Sequence, residues 1–154
     1  MKQLPPISDE LRELLSLLSS RKIDYIIAGA HAMAAYARPR YTEDLDIFVR
    51  RDRENIERLA SALEEFGTPM EPGGVDGMIE KSRAMIRIGS PPSQLDILNF
   101  LTGLTFEEAA KNAVPIMLSD LPVKVLALED LKKTKLSAGR PKDLEDLRRL
   151  NDGD

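Results

Sequence analysis

The chain contains no cysteine, which excludes disulfides, thiolate metal sites and cysteine nucleophiles together. It contains one histidine, His31, and a single histidine beside no cysteine does not make a metal site. No apolar run is long enough to cross a bilayer, and the opening MKQLPPISDE lacks the apolar core of a signal peptide. A cytoplasmic protein with no membrane partner is the simplest expectation. No repeat or low-complexity tract is visible. A strong positive charge is missing too: the formal net charge is −4, from 22 basic and 26 acidic residues. That argues against sequence-blind duplex binding, which rests on many phosphate contacts. The one basic concentration lies at 121–150, with eight Lys or Arg against five acids, and a solvated helical face explains it on charge alone.

What is present is ordinary globular material. The 154 residues are 42% hydrophobic and 31% charged, enough for one domain with a normal core. After Pro5 and Pro6, Ser8 starts a helix carrying Leu11, Leu14, Leu15 and Leu18 at helical spacing. YIIAG at 25–29 reads as a short buried strand, and HAMAAYA at 31–37 as a helix closed by Pro39. LDIFV at 45–49 is a second strand, and Asp52 caps a long helix that ends near Gly67. Residues 68–77, rich in proline and glycine, are expected to form a mobile loop. AMIRI at 84–88 and QLDIL at 94–98 flank GSPPS as a strand–turn–strand unit. Thr105 and Glu108 make a capping-box pair. PIM and VKV near 115–125 suggest edge strands, followed by two helices separated at Gly139. The order predicts a single α/β (α+β) domain over 1–154: a small mixed β-sheet flanked by helices, with 126–150 as a C-terminal helical cap.

Three aspartates stand out. Asp44 and Asp46 are two apart on one strand, so both point to one face, roughly 7 Å apart along the chain. Two like charges in an otherwise apolar strand repel unless a cation lies between them. Asp96 sits in a similar strand and would complete a three-carboxylate cluster if the strands are neighbours. Hard oxygen ligands of this kind suit Mg²⁺ or Mn²⁺ rather than zinc. Taken alone, a D-x-D is usually a strand end facing water, so the surrounding run decides the reading.

That run is GAHAMAAYARPRYTEDLDIFV, residues 29–49. It resembles the DNA polymerase β-like nucleotidyltransferase superfamily, and within it the small proteins related to AbiEii-type toxins and lincosamide nucleotidyltransferases. Gly29 matches the first glycine of that pattern, Pro39 and Arg40 a proline–arginine step, and Thr42, Asp44 and Asp46 the threonine and aspartate pair. Asp96 falls on the family's third carboxylate. Lys135, Gly139, Arg140, Lys142, Asp143 and Asp146 match the helical tail of the AbiEii-like branch. Ala30 is the one departure: the family has a second glycine or a serine there. Alanine keeps the backbone N–H but adds a methyl group and supplies no hydroxyl.

The resemblance implies a nucleotidyltransferase fold and attack of an acceptor hydroxyl on the α-phosphorus of a nucleoside triphosphate, releasing pyrophosphate. Under it, Asp44, Asp46 and Asp96 are the catalytic and metal-binding residues. Gly29 and Ala30 would meet the phosphates through backbone N–H groups, Thr42 would shape the turn, and Arg40 would contact triphosphate or pair with an acid. Lys135, Arg140 and Lys142 would line the cleft or form a face balanced by Asp143 and Asp146. His31 could touch substrate, and Tyr36 and Tyr41 are expected to pack in the core or cleft wall. The acceptor is a small molecule, an RNA end or a protein hydroxyl. A non-catalytic nucleotide-binding or regulatory protein of the same fold, or a toxin–antitoxin component with an antitoxin partner, are the other roles in view.

Overall fold

The computed structural model describes residues 3–40, 42 and 44–154. Its centre is a seven-stranded sheet built from β1 (Gln3–Leu4), β2 (Tyr25–Ala28), β3 (Asp44–Val49), β4 (Met85–Ile88), β5 (Gln94–Leu98), β6 (Val114–Leu118) and β7 (Leu121–Val125). In space the order is β1-β6-β7-β2-β3-β5-β4. The sheet is mixed: β2 runs antiparallel to β3 and β4 to β5, while β3 and β5 are parallel. Both central strands of the aspartate region are sealed, with Leu45, Ile47, Leu95 and Ile97 fully buried.

The helices begin where local capping chemistry places them. α1 (Asp9–Ser20) starts with the Leu11 N–H donating to Ser8 Oγ at 3.2 Å and buries Leu11, Leu14, Leu15 and Leu18. α3 (Arg53–Phe66) starts with the Asn55 N–H donating to Asp52 Oδ2, also at 3.2 Å. α5 (Phe106–Asn112) has both bonds of the Thr105–Glu108 capping box. α2 (Gly29–Tyr36) follows β2 directly, and α6 (Leu128–Ala138) and α7 (Pro141–Asp152) form the C-terminal helical region. No helix among the described residues is long and apolar enough to cross a membrane.

Two expectations need correction. Residues 74–77 are not loop but the start of α4 (Gly74–Glu80), because Val75, Met78 and Ile79 share one helical face and Met78 is 2% exposed. Glycine at 73, 74 and 77 hid that periodicity. The strands β6 and β7 are interior rather than edge strands, since β1 pairs in parallel with β6 and β2 with β7. A two-residue strand such as β1 carries no pattern from which this could be read.

α4 is fastened by Asn99, which is 2% exposed. Its Nδ2 donates to the Met78 and Lys81 carbonyls at 3.0 and 2.9 Å, and its Oδ1 accepts from the Ala84 N–H at 2.7 Å. Asn99→Leu removes all three bonds and strands buried backbone groups. Urea unfolding is expected to show a loss of about 2–4 kcal/mol.

Candidate active site

Strand register assembles the aspartates. Asp46 pairs with Ala28 on one side and Asp96 on the other, Asp44 pairs with Gln94, and Asp96 pairs with Arg87. Residues opposite one another in a sheet share a face, so one row across it reads Arg87, Asp96, Asp46. Asp44 stands on the same face two residues before Asp46. Thr42 closes the approach to β3: the Asp44 N–H donates to its Oγ1 at 3.3 Å, and that hydroxyl contacts the Asp44 carbonyl oxygen at 3.2 Å.

Gly29 sits against this row at the junction of β2 and α2. Its φ of +62° lies in the left-handed region, and a Cβ there would overlap the Asp46 carboxylate. The chain turns from strand to helix flush against Asp46. No side chain caps α2, so N–H groups of its first turn lack a side-chain acceptor. A helix start of this kind favours anions.

A cavity of about 530 Å³ opens over Asp44 and Asp46, at one end of the row. Gly29, Ala30, Arg40, Thr42, Asp44 and Asp46 line one side, and Lys135 of α6, Arg140 at the N-cap of α7 and Lys142 of α7 line the other. Lys135 Nζ lies 2.9 Å from Asp146 and 3.8 Å from Asp143, and Arg140 Nε donates to Asp143 at 2.6 Å. The Arg140 guanidinium holds the Asp143 carboxyl below the usual carboxylate range. Arg40 and Lys142 form no ion pair among the described residues. Two cavity residues carried no signal of their own in the sequence. These are Arg38 and the buried Arg149, whose Nη2 donates to the Arg38 carbonyl at 2.6 Å.

His31 lies outside this cavity. It is 4% exposed, its Nδ1 has no hydrogen-bond partner, and burial lowers its proton affinity. With Thr42 and Asp44 it lines a second cavity of about 280 Å³. Tyr36 Oη donates to the Leu126 carbonyl at 2.7 Å, tying α2 to the start of the helical region. Tyr41 lies outside the described residues.

Asp96 shares the face but not the cavity. Its side chain is 8% exposed and turned along the row, where Arg87 Nε and Nη2 donate to its two oxygens at 2.9 and 3.3 Å. Gln94 Nε2 adds contacts at 3.3 and 3.4 Å. Among the described residues, no group of three acidic, His or Cys side chains is placed to hold a metal ion. Sequence reasoning missed Arg87 because M-I-R-I reads as an amphipathic strand whose arginine faces water.

The charge balance still fits a hard cation. Asp46 is pushed up to about 6, first by burial, then by the negative charges of Asp96 and Asp44, with Lys135 and Lys142 opposing. A divalent ion on Asp44 and Asp46 would relieve that cost with oxygen donors of the right hardness. The raised value has a defined pH signature. Between about pH 4 and 6 the native state keeps a proton that the unfolded chain has released, so stability falls as pH rises through that window. Unfolding in metal-free buffer is expected to show a loss on the order of 2 kcal/mol between pH 4 and 7 from this group, absent in Asp46→Asn.

Residues 7–153 match the family described as nucleotidyl transferase of unknown function (DUF2204). The chain belongs to that family. No curated protein matches the sequence. Among solved structures, it resembles the lincomycin-bound lincosamide antibiotic adenylyltransferase LnuA, with a TM-score of 0.51 and 13% identity over 96% of this chain and 99% of that one. At that identity the likeness is one of fold: a small mixed sheet flanked by helices, with a helical C-terminal region, in the nucleotidyltransferase manner.

Proposed function

We propose that this family member, acting as one domain, transfers a nucleoside monophosphate from a nucleoside triphosphate to an acceptor hydroxyl. The observation that carries the reading is the left-handed turn at Gly29, packed onto Asp46 at the uncapped start of α2. On this reading the helix start receives phosphate beside a carboxylate pair, a combination that suits phosphoryl transfer. Asp44 and Asp46 would hold Mg²⁺ or Mn²⁺, which when bound neutralises charge developing on the transferring group. Backbone N–H groups at Gly29 and Ala30 meet the outer phosphates. Arg40 and Lys142, which form no ion pair among the described residues, bring positive charge, while Thr42 holds the turn and Lys135 and Arg140 form the opposite wall. The acceptor oxygen bonds to the α-phosphorus, the bond from that phosphorus to its bridging oxygen breaks, and pyrophosphate leaves. The acceptor proton passes to an Asp96 oxygen once that side chain turns from Arg87 into the cavity, which makes Asp96 the third catalytic carboxylate.

A non-catalytic nucleotide-binding or regulatory protein is the second reading, and a toxin–antitoxin role is compatible with either. The engagement of Asp96 by Arg87 favours that second reading. The deciding experiment incubates the protein with each labelled nucleoside triphosphate, Mg²⁺, and pools of RNA, small hydroxyl compounds and protein. Transfer of label with stoichiometric pyrophosphate supports the enzyme. Nucleotide binding without pyrophosphate release selects the regulatory reading.

A further inference from the structure

The third carboxylate is not idle in this fold. Its partner is the residue opposite it on the edge strand, and the pair has the forked geometry of a strong charge-assisted contact. Arg87 has a side chain that is 55% exposed, whereas that of Asp96 is 8% exposed, so the arginine alone can leave for solvent. Its positive charge also feels Asp44 and Asp46, and together the three carboxylates raise its own proton affinity. Arg87 therefore neutralises the acidic row from the side.

We propose that Arg87 is a displaceable internal counter-ion, holding Asp96 out of the site and competing with the divalent cation for it. The proposal rests on the nucleotidyl-transfer reading. Gln94 stays in contact with Asp96 in either state, because it lies on the same strand two residues away. Release requires only a side-chain rotation of an exposed arginine on a four-residue edge strand. Swapping a monovalent guanidinium for a divalent ion compensates more of the charge on the row. Loading of the site then turns Asp96 toward Asp46, and the site is complete only when metal arrives. Arg87 is thus a positioning residue that makes the empty protein stable and the third carboxylate conditional.

The test measures Mn²⁺ binding directly, by titration followed in electron paramagnetic resonance, on wild type, Arg87→Gln and Arg87→Gln/Asp46→Asn. Folding of each variant is checked by thermal unfolding, which also reads the Mg²⁺-induced rise in Tm. Removing the competitor is expected to tighten Mn²⁺ at least about tenfold and to enlarge the Mg²⁺ response, both lost again in the double variant. Arg87→Lys keeps charge but not the fork and should fall between the two. An Arg87→Gln protein that binds Mn²⁺ no more tightly than wild type overturns the competition. If Mn²⁺ binding in that case is still lost between Arg87→Gln and Arg87→Gln/Asp46→Asn, the carboxylate metal site of the nucleotidyl-transfer reading stands and only this role of Arg87 falls.

Discussion

Asp46→Asn is expected to abolish nucleotidyl transfer, by at least about a thousandfold, while leaving the metal-free protein as stable as wild type or more so. The two effects have one cause. Asp46 is half-buried between the other two carboxylates and faces the charges of both Asp96 and Asp44. Asparagine has the same shape and removes the charge, so the repulsion goes and the packing against Gly29 stays. It also removes an anionic oxygen donor, so the Mg²⁺-dependent rise in Tm should largely vanish. The measurement is a thermal-unfolding series in MgCl₂ with a KCl control at matched ionic strength, alongside pyrophosphate release. Equal Mg²⁺ responses in the two proteins would remove Asp46 from the metal site.

Gly29→Ala tests the same contact from the other side. Its left-handed φ costs an L-residue about 1–2 kcal/mol, and the added methyl must also displace the Asp46 carboxylate. A total destabilisation of about 2–4 kcal/mol is expected from urea unfolding, with activity lost in parallel. A double-mutant cycle separates the parts. Asp46→Gly removes the atoms that the methyl meets, so Gly29→Ala in that background should retain only the backbone cost. Simple additivity of the two substitutions would show that Gly29 and Asp46 are not in the close contact described.

How far the sequence told this depended on the range of the physics involved. Helix starts at Ser8, Asp52 and Thr105 were legible because capping is settled within three residues. The two strands carrying Asp46 and Asp96 were legible as apolar runs, whereas their pairing, with Asp46 opposite Asp96, joins residues 50 apart and was left open by the sequence. The interior place of β6 was not legible, because it depends on a two-residue strand more than 100 residues away, with Gln3 opposite Met117, and that of β7 rests on one long-range register pair, Ile27 opposite Val125. α4 was obscured by its own glycines. At the site, the same-face geometry of Asp44 and Asp46 follows from strand period alone, whereas Lys135, Arg140 and Lys142 came from resemblance. Ion pairing to Asp143 and Asp146 engages the first two of these. Arg87 escaped notice because an exposed arginine on an edge strand has no local mark that distinguishes a counter-ion from a solvated side chain.

The division of labour between sheet and helices has a consequence for how such a protein can change over generations. The spacing of Asp44, Asp46 and Asp96 is fixed by backbone pairing between β3 and β5, which side-chain changes in α6 and α7 do not touch. The cavity's far wall is held by its own charge pairs, Lys135 with Asp146 and Arg140 with Asp143. Substitutions there can remodel what the cavity admits while the acidic row keeps its geometry. On the proposed reading, chemistry and selectivity would sit on separately mutable parts of one small chain. If the cavity receives an acceptor, a lineage could exchange one for another by drift in the helical wall, without passing through an intermediate whose carboxylates have lost register.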